Sequence, residues 1–159
     1  MFLIIDENMS TKEMKKEMDA ILKPIILFCK KWDTQIQYEN EAIVVAEVTE
    51  RIHELMALLK QHDDEILQIR IEKLQQFELN LDLFVRSVNR LKEVETVLVY
   101  YLLENQTQTE LAENEDILEM LKVDRISQAT INGIYKGACL NLIELVKYNQ
   151  LKSGAYYRR

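Results

Sequence analysis

The chain has 159 residues, a net charge of −7, three Gly, one Pro and two Cys. That length suits one domain with a core that needs no disulfide staples, and so few helix breakers point to an all-α protein. Cys29 and Cys139 are far apart, with no CxxC or Cys/His cluster, which excludes a disulfide scaffold and fits two free thiols in a reducing cytoplasm.

The opening run MFLII ends at Asp6 with no basic stretch before it, so neither a signal peptide nor a membrane span is expected. Ser10 or Thr11, followed by Glu13, is a candidate N-cap for a first helix reaching about Trp32. Pro24 should kink or divide that helix, because it lacks an N–H and its ring crowds the preceding turn. Residues 33–40, DTQIQYEN, read as a polar connection.

From Val45 the apolar spacing becomes regular. Val45, Val48, Ile52, Leu55, Leu59, His62, Ile66 and Ile69 alternate threes and fours, and Leu74, Phe77, Leu81, Phe84, Val88 and Leu91 resume after a slip. Such spacing lays one narrow stripe along a helix, as in the seam of a coiled coil or hairpin. Two geometries satisfy it over residues 41–92. One is a single long helix with a stutter near IRIEKL. The other is a hairpin turning at QHDDE, with Asp63 or Asp64 capping its second helix. Either needs a covering surface, from the first helix or from a second copy of the chain, so a homodimer is expected. His62 would occupy the seam.

EVETVLVYYLLEN then reads as an apolar helix to about Asn105, and QTQTELAENED as a loop in which TELAE could hold a helical turn. Two helices follow, about 116–123 and 128–149. The expected organisation is an acidic helical or coiled-coil portion, 1–104, followed by a helix-turn-helix portion, 105–159.

The last helix holds the most telling anomaly. Gly133 and Gly137 are the first glycines in the chain, one turn apart. Each costs roughly 0.5–1 kcal/mol relative to alanine in a helix interior. With Ser127 as N-cap, Ile131, Ile134, Ala138, Leu142 and Leu145 form the buried stripe, with Tyr135 at its edge. Gln128, Ala129, Asn132, Gly133 and Lys136 fall on the other side, with Leu140 as a misfit there. Gly137 is lateral, where it would let another helix approach. The helix before it, DILEMLKV, is expected to bury Ile117, Leu118, Leu121 and Val123 against the stripe, leaving Lys122 and Arg125 at the turn.

A small, polar, positive surface suits a major-groove reader. Gln and Asn pair bidentately with adenine edges, Lys reaches guanine or phosphate, and lack of bulk lets the backbone approach. Gln128, Asn132 and Lys136 are the expected base contacts, and Lys122, Arg125 and Ser127 the phosphate contacts, with Tyr135 suited to either. The overall charge opposes nucleic-acid binding, but its distribution does not: residues 117–159 hold seven basic and three acidic side chains, leaving −11 on residues 1–116.

The run SQATINGIYKGACLNL resembles the recognition helix of sigma-factor region-four-like and LuxR-type helix-turn-helix proteins. The shared pattern is S-x-A-T-[IV]-x-x-I-x-K-x-A-x-x-L, carried by Ser127, Ala129, Thr130, Ile131, Ile134, Lys136, Ala138 and, one place off, Leu140 or Leu142. The wider layout is similar to ArpU/RinA-type phage regulators, with IIDENMST and RLKEVETVLVYYLLEN at the corresponding places. The resemblance implies a phage late-gene activator that binds double-stranded DNA in a bacterial host's cytoplasm, with host RNA polymerase as a further partner. The chain departs from the pattern in two places. The usual glycine-containing turn is here the longer MLKVDRIS, and Gly133 stands where many relatives carry a polar or basic residue.

Chemistry is less well signalled. Glu50 and His53 have the E-x-x-H spacing of di-iron bundles, but no second such pair exists, and HELMA lacks the second histidine of H-E-x-x-H. No metal, cofactor or catalytic residue is expected. Trp32, with Phe28 one turn before it, reads as an anchor for the first helix. The alternative to DNA binding is an all-helical protein–protein module, an adaptor or inhibitor, whose last helices merely pack.

Overall fold

The computed structural model describes residues 10–62 and 64–153. The opening run 1–5, Asp63, Arg158 and Arg159, on which some expectations rest, lie outside those residues.

Helix α1 spans Thr11–Trp32 and starts on Ser10, whose hydroxyl accepts from the Glu13 amide at 3.1 Å while the Glu13 carboxylate accepts from the Ser10 amide at 3.4 Å. This reciprocal pair satisfies two N–H groups that the first turn leaves open. Met14, Met18, Leu22 and Ile25 recur at helical spacing and form its buried face. Pro24 does not divide the helix: Ala20, whose carbonyl loses its usual partner, and Pro24 both line an open groove between α1, α3 and α7.

The connection that follows is not simply polar coil. β1, Gln37–Glu39, pairs antiparallel with β2, Ala42–Val44, in the register Tyr38 opposite Ile43. Asn40 and Glu41 both have positive φ, 52° and 64°, as a two-residue type I′ turn requires. The expectation of an all-α chain is therefore corrected to a mostly helical one with a two-stranded hairpin. Its signal was the alternation Ile36, Tyr38 and Ile43, Val45 around an asparagine. A lone hairpin is marginal in water. Here Asn89 supports it, accepting from the Ile43 amide at 2.8 Å and donating to the Ile43 carbonyl at 3.1 Å.

Helices α2, Ala46–Lys60, and α3, Glu65–Val88, form a hairpin rather than one long helix. Asp64 supplies the break: its carboxylate accepts from the Ile66 amide at 2.8 Å. His62 sits exposed in the turn, not in a seam. The apolar stripe is covered unevenly. Val48, Ile52, Leu81, Phe84 and Val88 are buried, whereas Ile66 and Ile69 are 62% and 52% exposed.

Helices α4, Glu93–Leu103, α5, Gln108–Ala112, α6, Glu115–Leu121, and α7, Gln128–Ser153, complete the described chain. α4 carries five consecutive buried residues, Glu95 to Val99, and packs against α1, α6, α7 and both strands. The stretch expected as loop contains α5, capped by Thr107 with Glu110. α7 packs along α1, α3, α4 and α5, so the portions 1–104 and 105–159 share one core.

Three helices end on a left-handed residue without glycine: Asp33 after α1, Asn105 after α4 and Lys122 after α6. In each, the next amide reaches back to the carbonyl five residues earlier, as in Thr34 to Cys29 at 3.1 Å. This is the Schellman arrangement, which glycine usually serves. Among the described residues, no helix is long and apolar enough to cross a membrane.

Candidate nucleic-acid interface

Helix α7 begins where its sequence says it should. The Ser127 hydroxyl accepts from the Thr130 amide at 3.1 Å and lies 2.9 Å from the Thr130 hydroxyl. Beyond this cap Gln128, Ala129, Thr130, Asn132, Gly133 and Lys136 are all exposed. Gln128 donates to the Asn132 side chain at 3.0 Å, so the two amides are held together one turn apart. A Cβ added at Gly133 would meet nothing within 4 Å, whereas one at Gly137 would meet the Glu95 carboxylate at 3.6 Å. Glu95 is itself buried and accepts from the Asn141 amide at 3.1 Å. Gly137 thus faces Glu95 of α4 at an ordinary contact distance that would also admit a Cβ, and Gly133 faces open space. Gly133→Ala is expected to stabilise the fold by roughly 0.5–1 kcal/mol, because no clash offsets the gain in helix propensity. Chemical denaturation would read this, and a destabilised variant would show that the Gly133 side is occupied.

The buried face is rotated from the expected stripe. Ile131, Ala138 and Leu142 are buried as expected, but Cys139, Ile143 and Asn149 join them while Ile134 and Leu145 are half-exposed. Tyr135 is drawn inward by the same rotation, away from the open side. Its hydroxyl lies against the Cys139 thiol, and burial first, then that neighbour, pushes it up to about 12. Burial likewise pushes Cys139 up to about 12, which makes a reactive thiol there unfavourable. Leu140, the misfit, packs against the core.

The preceding elements differ from a simple two-helix pair. It is α5 that lies along α7, while α6 packs chiefly on α4. Ile117 is buried and Leu118 and Leu121 are half-buried, but Val123 is 44% exposed. Lys122 is the left-handed cap of α6, with φ 58°; its amide reaches the Glu119 carbonyl at 3.0 Å and the Val123 amide reaches Leu118 at 3.1 Å. Lys122 therefore takes the position that a glycine holds in the usual turn. Lys122→Gly is expected to stabilise the chain by about 0.5–1 kcal/mol, since a residue with a Cβ pays for this conformation. A lowered denaturation midpoint would contradict that reading of the turn.

The described basic residues of 117–159, Lys122, Arg125, Lys136, Lys147 and Lys152, are dispersed. Arg125 and Lys136 are exposed near the start of α7, and neither is in an ion pair among the described residues. Lys122 lines a cleft with Glu93, Asp116 and Glu119, where carboxylates compete with any phosphate. In the same cleft Tyr101 donates to Asp116, which pushes the phenol up to about 12. Lys147 pairs with Glu17 at 3.6 Å, and Lys152 lies beside Arg86 and Arg90 at the far end of α7. The candidate surface thus gathers Arg125, Ser127, Gln128, Asn132, Gly133 and Lys136, with Lys122 at its acidic border. Thr130, exposed and bonded to Ser127, belongs with them although charge and glycine counting did not single it out.

The other motifs resolve structurally. His53 pairs with Glu78 across the hairpin at 2.6 Å, and Phe28 stacks on Phe77 at 4.8 Å and meets Trp32 at 6.4 Å. Among the described residues no group of three or more His, Cys, Asp or Glu is placed to hold a metal ion. Comparison with protein-family models, with curated proteins and with solved structures finds no match.

Proposed function

We propose that the chain is a sequence-specific double-stranded DNA-binding regulator of the ArpU/RinA type, acting at a promoter with host RNA polymerase. The observation that carries this reading is the open side of α7. Gln128, Asn132 and Lys136 are exposed around Gly133, where an added Cβ would meet nothing within 4 Å among the described residues. Arg125, two residues before the cap, is exposed and in no ion pair among the described residues. An asparagine–glutamine pair already held in register offers adenine-type edges a preordered set of donors and acceptors. Lys136 reaches a guanine edge, Arg125 supplies a phosphate contact, and the capped N-terminus of α7 adds its positive dipole end.

The test is duplex binding as a function of salt, using sequences selected from a random pool. A DNA regulator gives a log–log slope set by the phosphates it neutralises. Failure to enrich any duplex at low salt would end the proposal. A protein–protein module is the second reading, and the apolar residues left uncovered on the α2–α3 hairpin favour it.

A further inference from the structure

The α2–α3 hairpin is longer than the body that covers it. The C-terminal end of α1 meets the hairpin at Arg51, which donates to the Trp32 carbonyl at 2.6 Å, and at Phe77, stacked on Phe28. Beyond that level α3 runs on from residue 76 back to its start at Glu65, about 16 Å at helical rise. Where α7 and α1 reach α3, Leu81, Leu83, Phe84 and Ser87 are buried; Ser87 accepts from Asn149 of α7 at 2.8 Å. Past the end of α1, Ile66 and Ile69 are more than half exposed, and so is Leu58 at the end of α2. Meanwhile Ile71 is buried and Leu67 and Leu74 half-buried, the side that α3 turns to α2. The hairpin is therefore closed on its inner side and bare on its outer one. Ile66 and Ile69, three residues apart on α3, are neighbours on that outer surface and leave roughly 200 Å² of it apolar.

Charge decides what fits there. Glu65, Ile69 and Lys73 are spaced i, i+4 and i+8 and lie in one stripe of α3. The stripe carries an acid one turn before Ile69 and a base one turn after it. Both are exposed, and neither is in an ion pair among the described residues. A two-fold axis through Ile69 lays α3 antiparallel on its copy and places each Lys73 opposite the other chain's Glu65. A parallel arrangement would set like charges together. We propose that the outer face of α3, centred on Ile69, is a self-complementary interface through which two copies pair antiparallel, independently of DNA.

Sedimentation of the full chain without DNA tests this. Small interfaces belong to weak pairs, so the measurement is made at roughly 100 µM, where a dimer is expected. Ile69→Glu should raise its dissociation constant more than about a hundredfold, by placing two carboxylates at the axis, with circular dichroism unchanged because the site is solvent-facing. Glu65→Lys and Lys73→Glu should each weaken the dimer, and the double variant should restore it. A wild-type chain that stays monomeric overturns the proposal. So does a dimer that survives Ile69→Glu, or a charge swap that fails to rescue.

Discussion

Reversing both charges beside the open side of α7, Arg125→Glu with Lys136→Glu, is expected to weaken duplex binding on the order of a hundredfold or more while leaving the helical signal intact. Each cation that leaves a phosphate should lower the salt slope by about one. The loss of Arg125 should therefore lower it by about one, and the loss of Lys136 from a base edge should add chiefly a drop in affinity. Both side chains are exposed and in no ion pair among the described residues, so their loss should alter stability by no more than about 0.5 kcal/mol. Gly133→Glu should act with them. It fills open space and costs the fold little, yet it places bulk and negative charge where a groove would approach. Asn132→Ala should differ in kind. It should cost about 1–3 kcal/mol on the selected sequence, relax preference at one base pair and leave the salt slope unchanged. Equal duplex binding by wild type and the charge-reversed chain would remove α7 from the interface.

Phe84→Ala is expected to cost about 3–5 kcal/mol, the largest single loss of stability foreseen for this chain. Phe84 is 2% exposed and sits on α3 where that helix meets α1 and α7. Truncation therefore removes transfer energy and leaves a void that three helices must close. Natural domains hold only about 5–15 kcal/mol in all, so thermal denaturation should show a drop on the order of 10 °C or more. Ile66→Ala, on the same helix but 62% exposed, should change the monomer's stability little. A small effect at Phe84 would mean that α3 is not clamped between α1 and α7.

Much of the helical frame was legible because it is written locally. Ser10 with Glu13, Asp64, and Ser127 each announce a helix start through a side chain that reaches its own backbone. The spacing of Met14, Met18, Leu22 and Ile25 gives the buried face of α1 directly. What sequence could not give was the reach of one element along another. The three–four stripe reads identically at Ile52 and Ile69, yet only Ile52 is fully covered, because α1 stops near Arg51. Tyr135 illustrates the same limit at the candidate site. Its angle put it at the stripe's edge, and a rotation of the buried face, made by Cys139 and Ile143, drew it inward. The strands carry a local signal, but three residues each is too little to hold a hairpin in water without support, which Asn89 brings from far away in the chain. Summed charge misled as well, since Lys147 and Lys152 lie along α7 away from its N-terminal end.

That asparagine has one more consequence. A two-stranded sheet has two raw edges, each able to capture an extended peptide from another molecule. In this chain the edge of β2 at Ile43 is closed by the Asn89 amide, which presents one acceptor and one donor as a neighbouring strand would. The hairpin is thereby quenched as a template on that side. A chain that approaches beside β2 will meet the Asn89 side chain rather than extend that edge of the sheet.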